Sequence, residues 1–158
     1  MNSEYFRTMF AYDRSLYQEV WDSVMLLTDD RFIMPVDYSH GSIRDQLLHV
    51  AAAQARWLRG IRGNPDARTF KLDPADYPSR GSVREIWQQV ESELAAYMAE
   101  LSDEDLEVVL PGMGGPVWQV LAHLINHGTD HRAQILRILH DFGAPTFDQD
   151  LIHYLWRS

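Results

Sequence analysis

Residues 117–140 constrain the fold more than any other stretch. From Trp118 the chain reads WQVLAHLINHGTDHRAQILRILH, and its apolar residues recur at helical spacing over about six turns. Val120, Leu124 and Ile138 share one side of the helical wheel. Trp118, Leu121, Ile125, Leu136 and Leu139 form a second stripe roughly 120–180° from His127. One stripe needs a core; the second must be covered by a neighbouring helix or by a second copy of the chain. A bundle meets that requirement.

The same helix carries His123, His127 and His131, four residues apart. His127 and His131 lie on the apolar side, where an imidazole needs a partner. Residues four apart rise ~6 Å and keep one face, so two imidazoles can converge on one ion. His123 and His131 are ~12 Å apart along the axis and ~80° apart around it, too far for both to reach an ion at about 2.0–2.1 Å. One adjacent pair is the candidate, with a third ligand from another helix. His49 is the best placed of the remaining histidines, although it sits on the flank of its own apolar stripe. Without a metal, the same residues read as core histidines held by hydrogen bonds.

The rest of the chain supplies partners for this helix. A first helix is expected over 5–27, with Phe6, Met9, Leu16, Val20, Val24 and Leu27 on one stripe. Asp13 falls on that stripe, so it is expected to be paired or near a site. Residues 28–41 read as a loop, with Asp29, Asp30 and Pro35 as breakers. A second helix is expected from Ser42 to Ile61, opened by a Ser42–Asp45 capping box. Gln54 is the polar residue nearest the centre of its stripe. A third begins at Ser82, with Glu85 completing a box, and runs to about Leu101. Residues 102–116 read as irregular, with GMGGP as a turn. Pro116 opens the fourth helix and Gly143 closes it. Residues 148–156 read as a short last helix capped by Asp148.

Residues 62–81 hold three prolines and two glycines. A bundle turn takes ~2–8 residues; this stretch is long enough to run the length of a helix. It therefore predicts a crossover that leaves the second and third helices parallel. The expected fold is an all-α, four-helix bundle, up-down-down-up, with a short C-terminal helix, as one domain over 1–158.

Composition narrows the function. At 46% hydrophobic the 158-residue chain can build a core. No apolar run reaches the ~18 residues of a membrane span, and MNSEYFRTMF does not resemble a signal peptide, so no membrane partner and a cytoplasmic location are expected. There are no cysteines, so any metal must be held by His, Asp or Glu. A net charge of −9 argues against a nucleic-acid partner. Arg56, Arg59 and Arg62 read as a solvated helix end.

SIRDQLLHVAAAQARWL (42–58), HLINHGTDHRAQILRILHDFGAPTFDQDLIHYL (123–155) and FAYDRSLYQEVW in the first helix resemble the DinB/YfiT-like, damage-inducible-type family. The resemblance implies a metal triad of His49, His127 and His131 and leaves His123 as a pocket residue or one standing behind the ligands; the stripes themselves add Gln54 as a pocket candidate and Asp13 as a pocket or fourth-ligand candidate. Where the family often has His-His-Arg-Gly, this chain has Asp130-His131-Arg132-Ala133; no ligand is lost. It further implies a divalent transition metal such as Zn, Ni or Fe, and a homodimer. The activity class implied is thiol S-transfer, in which a low-molecular-weight thiol cosubstrate attacks a small-molecule electrophile. A non-catalytic metal-binding or stress-associated module is the alternative.

Overall fold

A computed structural model of the chain describes residues 2–112 and 114–156. Met113, inside the expected GMGGP turn, lies outside them. Four long helices carry the fold: α1 (Ser3–Val24), α3 (Ile43–Ile61), α4 (Arg80–Glu100) and α6 (Val117–Asp141). Three short ones join them: α2 (Asp29–Phe32), α5 (Asp103–Leu106) and α7 (Leu151–Leu155). No strand forms among the described residues, only an isolated bridge between Val109 and Pro116.

Two apolar clusters fix the helix directions. One joins Trp21 and Val24 at the end of α1, Leu47 and Val50 early in α3, Val83 and Trp87 early in α4, and Leu139 late in α6. The other joins Phe6 at the start of α1, Leu58 late in α3, Met98 late in α4 and Leu121 early in α6. Thus α1 and α6 run one way and α3 and α4 the other, the expected up-down-down-up bundle. The crossover that makes α3 and α4 parallel contains one 3-10 turn, Pro74–Asp76. Around the bundle, α3 packs on α4 and α6, and α1 on α6 and α4.

Local chemistry moves several boundaries. Thr28 caps α2 inside the stretch expected to be loop. Ser42 Oγ accepts from Asp45 N at 3.1 Å, but the Asp45 carboxylate bonds Arg44 instead of closing the expected box. In α4 the reciprocal box is Ser79–Ser82, so the helix starts two residues earlier than expected and does not use Glu85. Ser102 and Asp105 form a second box that creates α5 within the stretch read as irregular. Residue 148 caps nothing; α7 starts after Asp150.

The end of α6 follows expectation. Gly143 takes φ +74, its N–H bonds His140 O, and Ala144 N–H bonds Leu139 O. These are the paired bonds of a Schellman stop. Of the second stripe on this helix, Leu121, Leu136 and Leu139 are buried within the chain itself. A neighbouring helix therefore covers them, and they do not require a second copy.

Candidate metal centre

The α3–α6 side of the bundle gathers four imidazoles. On α3, Gln46, His49 and Ala53 share the flank turned to α6, because residues three and four apart stack on one face. His127 and His131 face them from α6. The rings of His127 and His131 are 4.4 Å apart between centroids, those of His49 and His131 4.7 Å, and those of His49 and His127 5.0 Å. His49 Nε2 lies 3.0 Å from His127 Nε2.

The fourth imidazole comes from the loop before α3. Ser39 adopts φ 59 and Gly41 φ 90, a left-handed turn that glycine tolerates readily and serine does not. Val36 N–H closes it on Gly41 O at 2.6 Å. This turn folds His40 back onto His49, ring on ring at 3.9 Å with 19° between planes. Ring nitrogens of His40, His49 and His131 lie within 4.8 Å of one another, a group that could hold a metal ion.

Nitrogen proximity alone does not choose the ligands. An imidazole lone pair lies in the plane of its ring, so stacked, near-parallel rings such as His40 and His49 do not aim at one point. The planes of His49, His127 and His131 cross at 38° to 61°; His127 approaches through His49 and stands outside the group whose ring nitrogens all lie within 4.8 Å. Two nitrogens each about 2.0–2.1 Å from one ion stand roughly 3 Å apart, which the His49–His127 separation matches.

Two further observations fit a cation. Burial, reinforced by the neighbouring imidazoles, pulls His49, His127 and His131 each down to about 4, which leaves them neutral with free lone pairs at neutral pH. His131 Nδ1 donates to Gln46 Oε1 at 2.6 Å, which fixes the tautomer and leaves Nε2 free. Gln46 is fully buried and bonds Gln134 Oε1 at 3.0 Å. Ser39 bonds both glutamines, tying the His40 loop to the same network. His127 Nδ1, in contrast, is buried with no partner among the described residues.

The other expected site residues lie elsewhere. His123 is exposed, edge-on to Trp57 at 5.6 Å and 5.5 Å from the His127 ring. Asp13 is buried in an ion pair with Arg132, whose side chain is fully buried. Arg132 Nε also bonds Gln149 Oε1 at 2.8 Å, and its guanidinium lies 5.3 Å from the Tyr17 ring. Gly128 makes room for this pair: a Cβ there would stand 2.9 Å from Asp13 Oδ1. Gln54 and Asp13 together line a cleft between α1 and α4 whose walls include none of the histidines.

The helix order, the histidine cluster and its position on α3 and α6 are accompanied by a family match over residues 1–158. The chain belongs to the DinB family. A similar solved structure is a DinB-like protein from Bacillus cereus ATCC 10987, at TM-score 0.72 and 22% identity, covering 93% of this chain and 97% of that one. At that identity the likeness extends to the fold. No curated protein matches the chain. No helix among the described residues is long and apolar enough to cross a membrane.

Within this DinB bundle, sequence reasoning missed His40, Gln46 and Arg132. Gln46 carried a usable signal: it lies one turn before His49 on the same flank, a polar residue facing histidines. Arg132 follows His131 directly, on the side turned to α1, where an unpaired Asp13 called for a cation. His40 carried none, because a loop turn set by Ser39 and Gly41 has no helical periodicity.

Proposed function

We propose that His49, His127 and His131 hold a divalent transition metal and that the protein is a metal-dependent S-transferase using a low-molecular-weight thiol. The observation that carries this reading is three neutral, non-parallel imidazoles on two packed helices, one pinned by Gln46. A metal bound there would supply Lewis-acid chemistry and would lower the pKa of an incoming thiol. Gln46 holds the His131 ring with Nε2 free, where it would be available to an ion, and the α3–α6 packing keeps the histidines on rigid elements. In the reaction, the thiol sulfur bonds to an electrophilic carbon, the leaving group departs with its electron pair, and the thiol proton passes to solvent. A cleft of about 570 Å³ lined by Arg56, Trp57 and Arg68 lies towards the C-terminal end of α3, and none of the histidines lines it. A homodimer accompanies this reading through the family, and a cytoplasmic location is proposed with it.

The test is an assay of metal-loaded protein with bacillithiol, mycothiol or glutathione and a chlorinated fluorogenic electrophile. Turnover with one thiol, lost in His131→Ala, supports transfer. No turnover with any of them, at full metal occupancy, contradicts it.

One observation favours a non-catalytic metal-binding module instead. His40 stands close enough to His49 and His131 to enter as a further ligand once its ring turns, and saturated coordination leaves no open position for a thiol. Asp13 does not serve in that role, being committed to Arg132. Tighter metal binding by the native chain than by His40→Ala, with no thiol turnover in either, is the signature of that reading.

A further inference from the structure

On the side of the bundle away from the histidines, α1 and α4 enclose a cleft of about 260 Å³. Two bridges between the helices fence it. At one end Arg7 Nη1 donates to Leu101 O at 2.9 Å; at the other Arg14 Nε faces Glu91 Oε1 at 3.7 Å. Arg7 and Arg14 are seven residues apart on one face of α1, so the opening between them is about 10 Å long. Ala11, Ala95 and Ala99 line the opening, and Phe10, Leu94 and Met98 its apolar wall. Small side chains at these positions leave a gap that leucines would fill.

The floor is polar. Gln54 reaches in from α3 and is 7% exposed, and its amide is open to the cleft, since it is not one of the buried side-chain groups left without a partner among the described residues. Each cation around it stands against a partner among the described residues, Arg14 most loosely. The Arg7 guanidinium is taken by Glu4, Ser3 and Leu101, Arg132 holds Asp13, and Arg14 faces Glu91. An anion would meet the carboxylates of Asp13 and Glu91.

We infer that the α1–α4 cleft is a second binding site, independent of the metal centre, for a small neutral aromatic molecule whose single hydroxyl or amide group bonds Gln54. The volume fits one ring with a short substituent, since a dry apolar cavity of about 150 Å³ admits benzene. The occupant is a small molecule and not a helix of another protein, because a helix could not enter without breaking both bridges.

Phenol is the probe, followed by the methyl and side-chain amide resonances of Leu94, Ala95, Met98 and Gln54 in the full chain. Saturable one-to-one binding with shifts at these residues is expected. Benzoate is expected to bind at least tenfold more weakly. Gln54→Leu is expected to weaken phenol about fivefold, the loss of one neutral hydrogen bond, and to leave toluene unchanged. Ala95→Leu is expected to abolish binding while circular dichroism and Tm stay native; if that variant does not fold, Ala11→Leu fills the cleft from the other wall. Absence of saturable binding overturns the inference. So does binding that persists in the filled variant or shifts the histidines instead. A dimer that buries the cleft and dissociates on Ala95→Leu assigns it to a second copy and overturns it too.

Discussion

His131 Nδ1 donates to Gln46 Oε1 at 2.6 Å, one buried side chain fixing the ring nitrogen of another across the α3–α6 packing. Because a carbonyl oxygen only accepts, this bond assigns the proton to Nδ1 and the lone pair to Nε2. Removing such an outer partner typically weakens metal binding 10–100-fold. Gln46→Ala is therefore expected to lower zinc affinity by about that factor in competition with a chromophoric chelator. Unchanged affinity would mean that the bond is packing alone.

Arg132 and Asp13 form the other buried polar link, between α6 and α1. Breaking a buried pair by removing one partner costs about 3–5 kcal/mol. Arg132→Met leaves Asp13 buried and alone, so urea unfolding should show a loss of that order. The double variant Asp13→Leu, Arg132→Met should recover much of it, because neither charge is then stranded. A double variant no more stable than Arg132→Met would contradict this account of the pair.

Acid should destabilise the metal-free protein between pH 6.5 and 4. His49, His127 and His131 are each pulled from 6.5 to about 4, first by burial and then by neighbouring imidazoles. Their contribution is complete above the unfolded value near 6.5 and is lost as pH falls through about 4. Asp13, pushed up from 3.8 to about 6 by burial against the pull of Arg132, acts with the opposite sign. Its contribution is complete below 3.8 and is lost as pH rises through 6. Three histidines oppose one carboxyl, so the expected Tm of metal-free protein falls on acidification from pH 6.5 to 4. A flat or rising Tm over that interval would contradict the burial of the cluster.

The bundle was legible because its signals are periodic. The stripes of α1, α3, α4 and α6, and the length of 62–81, were enough to predict a parallel α3–α4 pair. Of the short helices α7 was expected, whereas α2 and α5 were not, because they rest on local caps at Thr28 and Ser102 with too few residues to show a period. At the site, the His127–His131 spacing pointed to one face of α6, and the family resemblance pointed to His49. Structure places these three rings together, while His40 depends on a left-handed loop turn with no pattern to read. Asp13 and Gln54 were singled out as polar residues on apolar stripes. That signal marks a buried polar group without saying which side of the bundle it faces, and both face the α1–α4 cleft.

Metal stoichiometry of the tag-free protein, read by elemental analysis together with an anomalous-scattering map, tests the central claim most directly. The account predicts one transition-metal ion per chain, touching His49, His127 and His131, and its loss in His49→Ala and in His131→Ala. Substoichiometric metal after loading, or unchanged metal content in those variants, would contradict it.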